Sequence, residues 1–340
     1  MNTPRPTLDE VAARAGVGRG TVSRVVNGSP QVSPRAREAV QRAIDELGYV
    51  PNRAARALVT RRTDAVALVV SESGERVFAE PFFARVVRAI SSALTETQMQ
   101  LWLAMAQSPA ERRLVERHLT DQHVDGVMLL SLHDEDPLPA LLAGRGLPTV
   151  LGGRSARMLG GGEEAIPFVD NDNVGGARAA VEYLLAAGRS TVAVIAGPQD
   201  MGAGVARLQG YRQAVADAGV PADERLVGYG DFGEASGTAA MHRLLDARPE
   251  LDAVFAASDL MAAGALRALR DRRRSVPGDV AVVGFEDSAV AGRTEPPLTT
   301  VHQSVDQMGR EMVRLLLARI AGEEARSVVL DTYMVVRGSA

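Results

Sequence analysis

Residues 7–27 read TLDEVAARAGVGRGTVSRVVN, and two short helices can be drawn into them. Thr7 stands three residues before Glu10, the spacing of a capping box, and the helix it opens carries Leu8, Val11, Ala12 and Ala15 as its apolar positions. Gly16 stops it. A second helix runs from about Arg19 to Val26, with Val22, Val25 and Val26 inward and Thr21, Ser23 and Arg24 among its polar residues, until Asn27-Gly28 ends it. Downstream, Ser33 as N-cap and Pro34 in the first turn start a third helix, whose stripe of Ala36, Val40, Ile44 and Leu47 closes at Gly48. Two helices joined by a tight Ala-Gly-Val turn and braced by a third make a helix-turn-helix, the arrangement that sets its second helix in the DNA major groove.

Charge follows the same division. Residues 1–62 hold 11 Arg against 5 Asp and Glu, whereas the whole chain of 340 residues has a net charge of −4, so a basic head sits on an acidic body. That asymmetry suits a nucleic-acid-binding domain joined to one that does not bind nucleic acid. Every basic residue is Arg, in the acidic body as well as the head, which points to genome composition rather than to function. Hydrophobic residues at 46% and charged residues at 24% are ordinary for a globular chain and exclude a disordered or fibrous one. With no Cys, thiolate nucleophiles, disulfides and Cys-held metals are excluded together. Asp9 and Glu10 interrupt any secretory leader, and the chain reads as cytoplasmic, with no membrane segment.

After the extended step Tyr49-Val50-Pro51-Asn52, the stretch Arg53 to Leu58 offers one or two helical turns, too few to be stable alone in water. From Ala65 the pattern becomes strands alternating with amphipathic helices. Strands read at Val66 to Val70, Gln100 to Met105, Gly126 to Leu130, Thr149 to Gly152, Phe168 to Asp170, Thr191 to Ala196, Ala253 to Ala257, Val280 to Gly284 and Val328 to Val336. Continuous apolar strands separated by helices imply parallel sheets covered on both faces. The length and the restart of the pattern near Val169 imply two lobes, with ligands bound beyond the carboxyl ends of their strands.

The order of motifs has a family likeness. Thr7-Leu8, Ala15-Gly16-Val17, Thr21-Val22-Ser23-Arg24-Val25-Val26-Asn27 and Tyr49-x-Pro51-Asn52-x-Ala54-Ala55-Arg56-x-Leu58 stand in the head. Val169-Asp170-Asn171-Asp172, Arg207-x-x-Gly210-Tyr211, Ala257-Ser258-Asp259, Val282-Val283-Gly284-Phe285 and Leu298-Thr299-Thr300-Val301 stand in the body. The chain closely resembles the LacI family of bacterial transcription regulators over about 95% of its length. The resemblance implies a small all-α helix-turn-helix head plus an α/β body of two Rossmann-like lobes, similar to periplasmic binding proteins. The expected division is a DNA-binding domain at 1–50, a hinge helix and linker at 51–62, and an effector-binding and dimerisation domain at 63–340. Within the last, an N-lobe of about 63–166 plus 297–322 and a C-lobe of about 167–296 plus 323–340 are expected. The implied function is sequence-specific DNA binding, as a repressor controlled by a small effector, expected to be a mono- or disaccharide. Palindromic operator DNA and a second copy of the chain are the implied partners. The chain ends soon after its last strand, without the heptad tail of tetrameric members, which makes a homodimer the expectation.

The same resemblance assigns residues. Arg19, Gly20 and Arg24 would face base edges, the arginines as bidentate partners of guanine, with Thr21 and Ser23 near phosphates and Thr7 and Asn27 completing the DNA-facing set. Gly18 and Gly20 depart from the family's usual polar residues. In the hinge, Asn52 would cap the helix, Ala55 permit close pairing and Leu58 wedge between base pairs of the minor groove. For the effector, Arg207 and Asp259 are the expected grip, a guanidinium fork and a carboxylate acceptor suited to hydroxyl groups. Phe82, Phe83 and Phe232 would line the cleft. Met201 disfavours a purine, Gly153 with Arg154 beside it replaces a family aspartate, and Glu286 replaces another, with Asp287 adjacent.

Other chemistries lack their signatures. The five histidines form no metal-ligating spacing, Gly160-Gly161-Gly162 has no Lys-Ser/Thr after it, and no triad has matching flanks, so no enzyme, cofactor or metal is expected. A sugar-binding transport protein fits the body but not the basic head. A sugar-acting enzyme would need paired carboxylates that the sequence does not supply.

Overall fold

The structure is a computed structural model and describes residues 6–50, 62–121, 123–159 and 166–340. It divides into two compact units, Met1–Thr63 and Asp64–Ala340. The expected hinge residues Asn52, Ala55 and Leu58 lie outside the described residues.

The head is α1 (Leu8–Ala15), α2 (Arg19–Val26) and α3 (Pro34–Leu47). The capping box forms as read, with the Thr7 hydroxyl accepting from the Glu10 N–H and the Glu10 carboxylate accepting from the Thr7 N–H. Ser33 caps α3, and Gly16 and Gly48 end their helices in the left-handed region. Val11, Val22 and Val40, one from each helix, are fully buried against one another with Ala43 and Tyr49. At the rim, Arg14 donates from Nε to Glu46 at 2.7 Å and ties α1 to α3. Three short helices hold only because each closes the apolar face of the other two.

The body begins with β1 (Ala65–Val70), α4 (Gly74–Ala79), α5 (Pro81–Leu94), β2 (Gln100–Met105), α6 (Pro109–Thr120) and β3 (Gly126–Leu130). It continues through α7 (Leu138–Gly144), β4 (Thr149–Gly152), α8 (Ala156–Leu159), β5 (Phe168–Asn171), α9 (Asn173–Ala186), β6 (Val192–Ala196) and α10 (Gly202–Asp217). Then come β7 (Val227–Tyr229), α11 (Glu234–Ala247), β8 (Ala253–Ala256), α12 (Asp259–Asp271) and β9 (Ala281–Glu286). The chain closes with β10 (Thr299–Gln303), α13 (Val305–Ala321), β11 (Val328–Leu330) and β12 (Thr332–Val335). One sheet has the order β11-β5-β4-β3-β1-β2 and is parallel throughout. The other has the order β12-β10-β9-β8-β6-β7, parallel except for β12 against β10.

Two six-stranded sheets confirm two lobes, but the seam differs from the one read in the sequence. β5 pairs with β4, so residues 168–171 finish the N-lobe instead of opening the C-lobe. β10 pairs with β9 and belongs to the C-lobe, so of the segment 297–322 expected in the N-lobe only the helix α13 packs there. The expected single strand Val328 to Val336 is two: β11 joins β5 in the N-lobe and β12 joins β10 in the C-lobe. The chain therefore crosses between lobes three times, after β5, after β10 and after β11. Strand partners are chosen by long-range packing, which an apolar run does not encode.

The N-lobe core joins Val66, Leu68 and Val70 of β1 to Met308, Met312, Leu315 and Leu316 of α13, a stripe at helical spacing. In the C-lobe, α9 and α10 meet so closely that a Cβ on Gly210 would collide with the Val174 carbonyl and crowd Ala177. Gly144, at the exposed end of α7, has no neighbour within 4 Å of such a Cβ. Gly210→Ala should therefore destabilise the body by about 1–3 kcal/mol through overpacking. Gly144→Ala should change stability by less than about 1 kcal/mol. Urea unfolding midpoints of the two variants check the contrast.

Candidate functional site

On the head, α2 presents the residues expected at DNA. Arg19, Gly20 and Arg24 are exposed, Thr21 and Ser23 half-buried, and Asn27 exposed at the helix end. Gly18 occupies the N-cap position of α2 without a side-chain bond, as its lack of a side chain dictates. Arg24 donates from Nε to the Gly20 carbonyl at 3.2 Å, which holds the stem of its guanidinium along the helix. Arg19 lies 3.5 Å from Asp9, a pair open to solvent on both sides and therefore weak. Asn27 donates to the Ser23 hydroxyl at 3.4 Å. Thr7 uses its hydroxyl in the capping box, so its first role is to fix the start of α1.

In the body, a cavity opens where strands of both sheets end, walled by aromatic and apolar side chains with a few convergent polar groups, the make-up of a small-molecule site. Its walls come from the carboxyl ends of β3, β4 and β5 on one side and of β9 and β10 on the other, as open α/β sheets require. Of the nine expected effector residues, Phe82, Phe83, Gly153, Arg154, Met201, Arg207, Phe232 and Glu286 line it. Phe83 does so while packed in the N-lobe core, its ring edge-on to Phe82 at 5.4 Å.

Arg207 is the hub. Only 4% exposed, it donates from Nε to Asn173 Oδ1 at 2.9 Å, from Nη1 to the Ala257 carbonyl at 2.6 Å and from Nη2 to Gln303 Oε1 at 3.3 Å. Its guanidinium lies 3.8 Å from the centre of the Phe285 ring and 3.9 Å from Glu286 Oε1. Burial lowers its pKa to about 10, which leaves it charged at neutral pH. Burial likewise pushes Glu286 up to about 8, against the pull of Arg207.

Asp259 is the exception. It does not line the cavity: it is 0% exposed, with Oδ1 accepting from the Thr300 hydroxyl at 2.5 Å and Oδ2 from the Ser288 N–H at 2.6 Å. It is also not the helix cap, since Ser258 fills that position. Asp259 pins the turn after Glu286, and its contribution to the cavity wall runs through that turn. Burial raises its own pKa to about 6.

Beside the residues assigned from the sequence, Arg76, Glu80, Asp170 and Asn173 line the cavity and carry no sequence signal strong enough to be found alone. Arg154 donates to Asp170 at 2.8 Å, and Asp170 in turn accepts from the Asn171 N–H and from Asn173 Nδ2, both at 2.9 Å. Arg76 donates to Glu80 at 2.6 Å and to Glu72 at 3.1 Å, with its guanidinium 5.8 Å from the centre of the Phe232 ring. Four non-glycine residues in or beside the wall, Ser131, Phe232, Glu286 and Asp287, hold positive φ. Such strain gathers at ligand clamps.

Beside the cavity His133 reaches across the lobes. Its Nδ1 lies 2.7 Å from Asp200 Oδ2 and its Nε2 3.5 Å from Glu72, while the Asp134 N–H donates to the Asp200 carbonyl at 2.9 Å. Hydrogen bonding to Glu72, opposed by burial and helped by Asp200, raises the His133 pKa from 6.5 to about 9. A histidine with a raised folded pKa stabilises the fold fully below its unfolded pKa, and that contribution is lost as pH rises through the folded value. The unfolding midpoint should thus fall between pH 6.5 and 9, and His133→Gln should flatten that fall. Equal slopes in both proteins would show that the contact carries no titrating charge.

Comparison with known proteins agrees with this anatomy. The profile of bacterial regulatory proteins of the lacI family matches residues 7–52, and that of periplasmic binding protein-like domains matches residues 181–340. The HTH-type transcriptional regulator CelR of Thermobifida fusca is 59% identical over 337 residues, 98% of this chain and 98% of that protein. Among solved structures, a complex of the transcriptional regulator CelR with cellobiose is 56% identical, with a TM-score of 0.79 over 99% of this chain and 100% of that one. The lac repressor dimer bound to operator and the anti-inducer ONPF is 28% identical, with a TM-score of 0.85 over 99% of each chain. With both domains in place and such identity along nearly the whole length, this chain is a transcription regulator and not an enzyme, and it belongs to the LacI family of bacterial regulatory proteins.

Proposed function

We propose that this regulator is a homodimeric repressor that reads a palindromic operator through Arg19 and Arg24 of α2 and releases or grips it according to a neutral sugar bound between its lobes, a disaccharide of the cellobiose type. One observation carries the sugar reading. The donors of the three cavity arginines are already engaged: Arg154 pairs with Asp170, Arg76 with Glu72 and Glu80, and Arg207 gives its N–H groups to Asn173, the Ala257 carbonyl and Gln303. A phosphate or carboxylate guest would have to displace one of these partners. A neutral polyol needs only the remaining donors and acceptors, with Phe82 and Phe232 for its apolar face. The likeness to the CelR–cellobiose complex supports the disaccharide within that class. A regulator acting on operator DNA works in the cytoplasm, on the nucleoid.

Fluorescence anisotropy with palindromic DNA from the gene's own upstream region tests the reading. Saturating cellobiose should shift operator affinity by about 5- to 150-fold, the range of ordinary allosteric coupling. No shift with cellobiose would overturn the effector assignment. On the DNA side, Arg24→Ala should remove about 1–3 kcal/mol of discrimination per half-site. Equal losses on operator and scrambled DNA would make Arg24 a phosphate contact only.

A further inference from the structure

We infer that the side-chain amide of Asn171 reads a hydroxyl group of the effector, as an acceptor on the wall where the chain crosses from the N-lobe to the C-lobe. The inference deepens the sugar reading above and rests on it. Asn171 ends β5, lines the cavity and is 3% exposed. Its Oδ1 is buried without a hydrogen-bond partner among the described residues, and its Nδ2 meets only the thioether of Met308 at 3.8 Å. A thioether is a weak acceptor, so the whole amide lies in the wall without a strong partner.

The neighbours do not share this condition. Asp170 accepts from Arg154, from the Asn171 N–H and from Asn173 Nδ2. Asn173 Oδ1 accepts from Arg207, and Asn173 Nδ2 also donates to the Asn171 carbonyl at 3.0 Å. Along residues 170–173, the unused polar capacity among the described residues is that of the Asn171 side chain, a residue of the cavity lining whose Oδ1 is closed to solvent in this ligand-free form. An unpaired buried carbonyl costs folding free energy, and a leucine would fill the same volume of wall without that cost. The amide gains its partner when a turn of the Asn171 side chain brings Oδ1 to a guest's O–H. An acceptor in that place favours hydroxylated guests over deoxygenated ones and over anions, which bring only acceptors of their own.

Asn171→Leu in the full chain tests the assignment by two measurements. Calorimetry with cellobiose should show binding weakened at least tenfold relative to the wild type, and the ligand-free variant should melt at the same temperature or higher. Asn171→Ser, a smaller change, should also keep the ligand-free melting temperature. Cellobiose affinity of Asn171→Leu within twofold of the wild type would overturn the inference and leave the sugar reading standing. If the wild type itself does not bind cellobiose, that reading fails, and the ligand-free melting decides: a rise in Asn171→Leu supports an amide awaiting a guest. A fall in both variants, or loss of folding in both, overturns the inference, because the amide would then already be holding the ligand-free fold together.

Discussion

A guanidinium enclosed by protein must have its charge and its N–H groups answered by fixed neighbours, because an unpaired ion in low dielectric costs several kcal/mol. Arg207 imposes that demand on the body. Its partners come from the first turn of α9, the end of β8, the end of β10 and the end of β9, so four elements converge at one side chain. Through Asn173 the bond network runs on to Asp170 and then to Arg154 of the N-lobe. The crossing after β5 is thereby tied to both lobes, and the polar wall of the cavity is set before a guest arrives. Such preorganisation reduces the ordering cost of binding.

The strained backbone belongs to the same arrangement. Phe232 and Glu286 hold positive φ, and each is braced from behind. The Ser258 hydroxyl donates to the Phe232 carbonyl at 2.8 Å, and Asp259 holds the Ser288 N–H two residues beyond Glu286. The pair Ser258-Asp259 serves the site from outside the cavity, one residue supporting each strained turn.

The head was legible almost residue by residue, because caps, glycine stops and helical periodicity are local signals. Thr7 with Glu10, Ser33 with Pro34, and the valines of α2 stand in the structure where those signals put them. The cavity was legible through its apolar and aromatic lining and through Arg207. Asp259 reads as a grip in the sequence because a carboxylate near a strand end looks alike whether it faces a guest or, as here, the Thr300 hydroxyl. β10, with the sequence TTVHQ, does not read as a strand because its polar side chains suggest exposure, yet Thr299, Thr300 and Gln303 are buried and hydrogen-bonded. His133 gave no signal at all: its partners, Glu72 and Asp200, are distant in sequence and meet it only through the fold.

The three lobe crossings bear on how the chain leaves the ribosome. The head closes its core with residues from Leu8 to Tyr49 and can fold early in synthesis. The N-lobe cannot follow directly, since α13 and β11 complete its core and its sheet edge. Until residue 330 has emerged, β5 lacks its outer partner and the apolar face that α13 covers stays open. The C-lobe, whose strands β6 to β10 lie together in sequence, can assemble most of its sheet while the lobe that precedes it is still unfinished. A nascent chain would thus carry a folded DNA-reading head for most of the time its effector domain takes to be made, and exposed N-lobe strands of that kind are the surface on which chaperones act.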